Sequence, residues 1–136
     1  MTRRLAQREI LLAGVALLAA VLSLAIVSGR SSATRTLPQP VGTWYTALAG
    51  ERAPGGYGST TACGQVLQPE TEGVAHPVLP CGAKIYLSFD GKRVLTQVID
   101  RGPFVPGREF DVTAPLAAKL GLRDVSRIRW AYAAAG

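Results

Sequence analysis

Hydrophobic and polar positions divide the chain into three regimes. Ile10 to Val27 (ILLAGVALLAAVLSLAIV) runs eighteen residues without a charge, Pro or Asn. As a helix it would span about 27 Å, close to the hydrocarbon thickness of a bilayer. The run is apolar all round, and Arg3, Arg4 and Arg8 precede it. Both features argue against a buried core helix and predict a signal anchor or a cleaved signal peptide over residues 1–28, with the N-terminus in the cytoplasm. Residues 29–40 (GRSSATRTLPQP) lack apolar periodicity and read as a linker. From residue 41 the period shortens to two. Thr43 to Leu48 alternates with Trp44, Thr46 and Leu48 on one face, and Lys84 to Phe89 places Ile85, Leu87 and Phe89 together. Asp90-Gly91 is a two-residue hairpin signal, after which Arg93 to Ile99 returns as a strand whose Val94, Thr96 and Val98 face leads into Asp100. Arg127 to Tyr132 aligns Ile128, Trp130 and Tyr132. One short helix is expected after Thr113 as N-cap, with Pro115 in its first turn and Gly121 as its stop. Short strands, one helix and many Gly/Pro turns indicate a small, mainly β barrel or sandwich.

Charge changes the picture only once it is divided. The whole chain carries a formal net charge of +6 with a pI near 9.9, which invites a nucleic-acid reading. Residues 1–40 hold five Arg against one Glu, a net +4, so residues 41–136 carry only +2. Most of the basicity therefore belongs to the tail, and no nucleic-acid partner is expected. Cys63 and Cys81 both fall in the part placed outside the cytoplasm. An even count in an oxidising compartment points to a disulfide closing a loop of about 19 residues. A metal pair is disfavoured by the single His and the absence of C-x-x-C spacing; no metal and no cofactor are expected.

Val98-Ile99-Asp100-Arg101-Gly102-Pro103-Phe104, followed by Gly107-Arg108 and Phe110-Asp111-Val112-Thr113, resembles the rare lipoprotein A (RlpA)-like family, related to expansin-like and 3D domains. Thr43-Trp44-Tyr45, Thr61-Ala62-Cys63-Gly64-Gln65, and Ala75-His76-Pro77 with Leu79-Pro80-Cys81-Gly82 extend the resemblance over nearly all of residues 41–134. It implies a six-stranded double-psi β-barrel over 41–136. It also implies action on peptidoglycan glycan strands, either as a murein lytic transglycosylase or as an expansin-like binder that does not cleave. Residues of the family site map onto Gln65, His76 and Asp100. Gln65 stands where the family usually has Glu, and Gln68 where a further acid is common.

Lytic transglycosylation protonates the glycosidic oxygen and then deprotonates the sugar's 6-hydroxyl, which attacks C1. One carboxyl can serve both steps, whereas ordinary hydrolysis needs two. Asp100 is the candidate acid/base, the alternative being an Asx turn onto the Gly102 N–H. His76 is a candidate partner of Asp100 or of sugar, and Arg101 either holds a glycan oxygen or pairs with a carboxylate such as Asp111. Gln65 can bond a sugar but transfers no proton at neutral pH. Trp44 or Tyr45 could stack on a sugar, and alternation lets only one face the groove; Tyr57 is a third aromatic candidate. Asp111 reads as a residue that pins the barrel. The expected location is extracytoplasmic, membrane-anchored or secreted, with cell-division or envelope proteins as further partners. A barrel serving protein interaction alone is a third reading.

Overall fold

The computed structural model describes residues 36–135; the signal segment read over residues 1–28 and most of the linker lie outside them. Among the described residues no helix is long and apolar enough to cross a membrane. The elements are β1 (Pro40–Glu51), β2 (Val74–Ala75), β3 (Lys84–Phe89), β4 (Lys92–Asp100), β5 (Phe110–Val112), α1 (Ala114–Leu120) and β6 (Ser126–Ala133). Six strands close into a barrel in the order β1-β5-β2-β4-β3-β6. Two neighbouring pairs, β1 with β5 and β2 with β4, run parallel; the others are antiparallel. The mainly β architecture with one short helix agrees with the sequence pattern.

Local sequence explains most of these elements. The β3–β4 hairpin turns on Asp90 and Gly91, both at positive φ (48° and 76°), the mirror-image turn that matches strand twist. β1 begins at Pro40, the last residue of the segment read as a linker, and the Ala134 N–H donates to the Gln39 carbonyl at 2.7 Å. The Tyr86 hydroxyl donates to the Pro38 carbonyl. Helix α1 starts after Thr113, but the threonine hydroxyl makes no cap bond. It accepts instead from the Gly73 N–H at 3.1 Å, tying the helix start to the residue that leads into β2. Gly121 ends the helix in the left-handed region, its N–H turned back to the Ala117 and Ala118 carbonyls.

β2 and β5 were not foreseen. They are two and three residues long, and all five residues are buried, so neither shows an alternation. The core fills the barrel with Val74, Ile85, Leu87, Val98, Phe110, Val112, Ile128 and Trp130, and α1 seals one side with Leu116, Ala117 and Leu120. Burying a side chain of the size of Leu116 contributes about 1.5–3 kcal/mol. Two glycines permit close approaches: a Cβ at Gly73 would lie 2.7 Å from Ile99, and one at Gly50 would lie 2.4 Å from the Arg108 guanidinium.

Candidate active site

Asp100 is the last residue of β4, on the face shared with Val98, and is 6% exposed. Both carboxylate oxygens are engaged. Oδ2 accepts from Arg52 Nη1 at 2.7 Å; Oδ1 accepts from the backbone N–H of Ala62 at 2.9 Å and of Arg101 at 2.8 Å. The local turn therefore closes on Arg101 N–H rather than on Gly102. Burial pushes the carboxyl pKa up, but the Arg52 hydrogen bond, the two backbone donors and the Arg52 charge outweigh it and hold the pKa below the usual aspartate value. Asp100 is thus a carboxylate at neutral pH in the free protein.

Three loops build this setting. The first carries Arg52, directly after β1, with its guanidinium carbon 4.7 Å from the centre of the exposed Phe104 ring. The second is the turn 61–65. The Thr61 N–H donates to the Gln65 carbonyl at 2.7 Å, and the Thr61 hydroxyl accepts from the Gln65 N–H at 3.2 Å while reaching Gln65 Oε1 at 3.3 Å. That turn aims the Ala62 N–H at Asp100 and holds Gln65 against Thr61. The third is residues 76–82, joined to the turn by the Cys63–Cys81 disulfide anticipated from the sequence. Arg101 braces this third loop, donating to the Leu79 carbonyl at 2.7 Å and the His76 carbonyl at 3.3 Å. It does not pair with Asp111.

His76 abuts Asp100 through its backbone, its N–H donating to the Asp100 carbonyl at 3.2 Å. The two side chains do not bond to each other. His76 Nδ1 accepts the N–H groups of Val78 (3.2 Å) and Leu79 (3.1 Å), which fixes the neutral tautomer with its proton on Nε2. Burial, and next the positive charge of Arg101, lower its pKa and keep it neutral. Its ring packs 4.7 Å from Phe110 and 6.4 Å from Trp130.

The aromatic candidates separate. Tyr45 lies on the inner face with Ala47 and Ala49, half exposed, stacked at 4.8 Å on Trp130 and so linked through it to His76. Trp44 lies on the outer face between two arginines. One of them, Arg93, is seven residues before Asp100 on β4, about 23 Å along the strand. Tyr57 is exposed and lines a depression with Arg52, Leu67 and Thr113; a second depression on the other side of Arg52 is lined by Phe104, Arg108 and Asp111. Asp111 is fully buried, ion-paired with Arg108 at 2.6 Å and accepting from the Phe104 N–H at 2.8 Å. It thereby fastens the loop that follows Asp100.

Arg52 escaped the sequence reading, and Trp130 figured in it only as one of the aligned residues of the last strand. The only signal for Arg52 was a charged residue at the mouth of a Gly/Pro loop, with nothing to show that it meets an aspartate 48 positions later. Among the described residues no cluster of three or more His, Cys, Asp or Glu could hold a metal.

A carboxylate at a barrel strand's end, flanked by three loops of which two are joined by a disulfide, defines a class of barrel whose site is built from loops. Comparison with known proteins gives the family: residues 42–132 match the family described as lytic transglycolase, and the chain belongs to it, an RlpA-like double-psi β-barrel. It is 31% identical over 74 residues to the endolytic peptidoglycan transglycosylase RlpA of Yersinia pestis, which covers 53% of this chain and 21% of the relative. It is 34% identical over 94 residues to the RlpA of Rickettsia prowazekii, covering 66% of this chain and 29% of the relative. The chain thus spans about a fifth to under a third of these relatives' length. The solved structure of the Streptomyces papain inhibitor is similar in fold, with a TM-score of 0.55 and 24% identity over 70% of this chain and 98% of the other.

Proposed function

We propose that this chain is a peptidoglycan-acting, lytic transglycosylase-like protein that cleaves murein glycan strands with Asp100 as acid/base. Family membership supports the substrate class, and the observation that carries the residue assignment is the buried Asp100 carboxylate held by Arg52, Ala62 N–H and Arg101 N–H. In the resting site Asp100 is ionised, which suits stabilising positive charge at C1 and taking the proton of the 6-hydroxyl. Donating a proton to the glycosidic oxygen requires the acid form. A glycan oxygen that draws the Arg52 guanidinium away removes the strongest contact favouring ionisation and leaves burial to raise the pKa. Neutral His76 offers Nε2–H, and Gln65 its amide, for holding sugar oxygens; the exposed Phe104 ring on Arg52 is an aromatic face at the site, and Tyr57 shares a depression with Arg52.

The non-cleaving, expansin-like reading has one observation in its favour. Gln65 replaces an acid and is already turned onto Thr61, leaving Asp100 as the single carboxylate among these groups. Incubating the full chain with purified murein decides between them by mass spectrometry. Anhydro-muropeptides that disappear in Asp100→Asn are the expected result; retention on murein without product identifies a binder instead. The disulfide suits an oxidising, extracytoplasmic location, tethered through residues 1–28 or secreted after their cleavage.

A further inference from the structure

The outer face of the barrel, remote from Asp100, carries an arginine cluster that the proposed chemistry does not use. The register aligns Arg93 (β4), Ser88 (β3), Arg129 (β6) and Thr46 (β1) in one row across four adjacent strands. Arg127 stands two residues from Arg129 on the same face of β6. All three arginines are exposed. The Arg93 and Arg129 guanidinium carbons each lie 5.2 Å from the centre of the half-buried Trp44 ring, and thus at most 10.4 Å from each other (5.2 and 5.2 Å added). Among the described residues no carboxylate pairs with any of the three, although Asp90 lines the same shallow depression as Arg127 and Arg129. The contrast with the interior is sharp: Arg52 and Arg108 are neutralised by Asp100 and Asp111, and Arg101 is spent on carbonyls.

The geometry points to this face as a second binding site, for a linear polyanion bearing phosphodiester groups. Like charges gathered on one indole without a counter-ion form a local positive field that an anion relieves. The cations are arginines, whose planar forks take two oxygens of one phosphate. The row between them is Ser and Thr, which add hydroxyl donors and no bulk. A membrane surface fits less well, because the exposed apolar side chain beside these arginines is Leu48, opposite Arg127, and Trp44 lies half-buried between the guanidiniums. A site about 23 Å along β4 from Asp100 would hold a charged polymer while the carboxylate works on a neutral glycan.

Poly(glycerol phosphate) is the probe, titrated into the full chain while the indole fluorescence of Trp44 is followed, with Trp44→Phe reporting the share from Trp130. The expected result is saturable binding that weakens with salt. Arg93→Gln/Arg129→Gln should lose roughly tenfold or more in affinity and lower the salt slope by about two. Asp100→Asn should bind as the unaltered chain does, so a failure of the transglycosylase reading leaves this result standing. Equal affinity of the double-arginine variant, with unchanged circular dichroism, overturns the proposal. So does tighter binding to phosphatidylglycerol vesicles or to a polyuronate than to the phosphate polymer.

Discussion

The Asp100–Arg52 contact sets what the site can do before any substrate arrives. Replacing Arg52 by Gln keeps a hydrogen-bond donor and removes the charge, so the Asp100 pKa should rise, with burial then opposed mainly by the Ala62 and Arg101 N–H groups. The sign for stability follows. A carboxylate with a lowered native pKa stabilises the fold above its ordinary value, near 3.8 here, and that stabilisation is lost as pH falls through the native value. In Arg52→Gln that stabilisation should shrink, so the variant should be less stable than the unaltered chain at pH 7 and the gap should narrow as pH falls to 3, read from urea midpoints, while the Asp100 carboxyl carbon shift titrates at higher pH. Identical curves for the two proteins would mean that Arg52 has no hold on Asp100. Asp111 behaves differently because both of its oxygens serve structure. Asp111→Asn leaves the buried Arg108 charge unpaired and should cost about 3–5 kcal/mol in denaturant unfolding, with partial recovery when Arg108→Met is added. At this scale the sequence exposed Asp100, His76 and Gln65, because a contiguous motif carries each of them. It concealed Arg52, since a side chain's reach across the barrel depends on strand closure and leaves no local trace.

Elements with a period were legible and those without one were not. β3, β4 and β6 are each six or more residues long and carry a period-two set (Ile85, Leu87 and Phe89; Val94, Thr96 and Val98; Ile128, Trp130 and Tyr132), and α1 has a proline in its first turn and a glycine at its stop, so each stood out. β2 and β5 are too short to alternate and lie buried on every residue, so only the neighbours they join reveal them. Yet these two position the site: Ala75 is registered with Asp100 on one side and Asp111 on the other. The disulfide works at the same level, joining the turn that bears Ala62 and Gln65 to the loop after His76. Replacing both cysteines by Ala should destabilise the protein by about 3 kcal/mol, the chain-entropy value for a loop of this size. It should also lower murein cleavage more than it lowers helix content by circular dichroism, because the Ala62 donor loses its brace. Equal activity in the double variant would place the bridge outside the working geometry.

Over the whole molecule, a modest net charge hides an uneven one. Arg52 and Arg108 are neutralised, the outer-face arginines are not, and the sum at residues 41–136 reveals neither. The barrel's connectivity was equally hidden, because hydrophobic patterning fixes which face of a strand points inward but not which strand lies beside it. That connectivity bears on time as well as shape. β1 is flanked by β5 and β6, so the first strand laid down waits for the last two before either of its edges is covered. Pairings so distant in the chain form slowly, since the intervening loop must close before any contact rewards it. The barrel closes only when Ser126–Ala133 is present to bridge β1 and β3, so the ring is completed by the last strand of the chain's described part and every earlier pairing leaves it with two free edges.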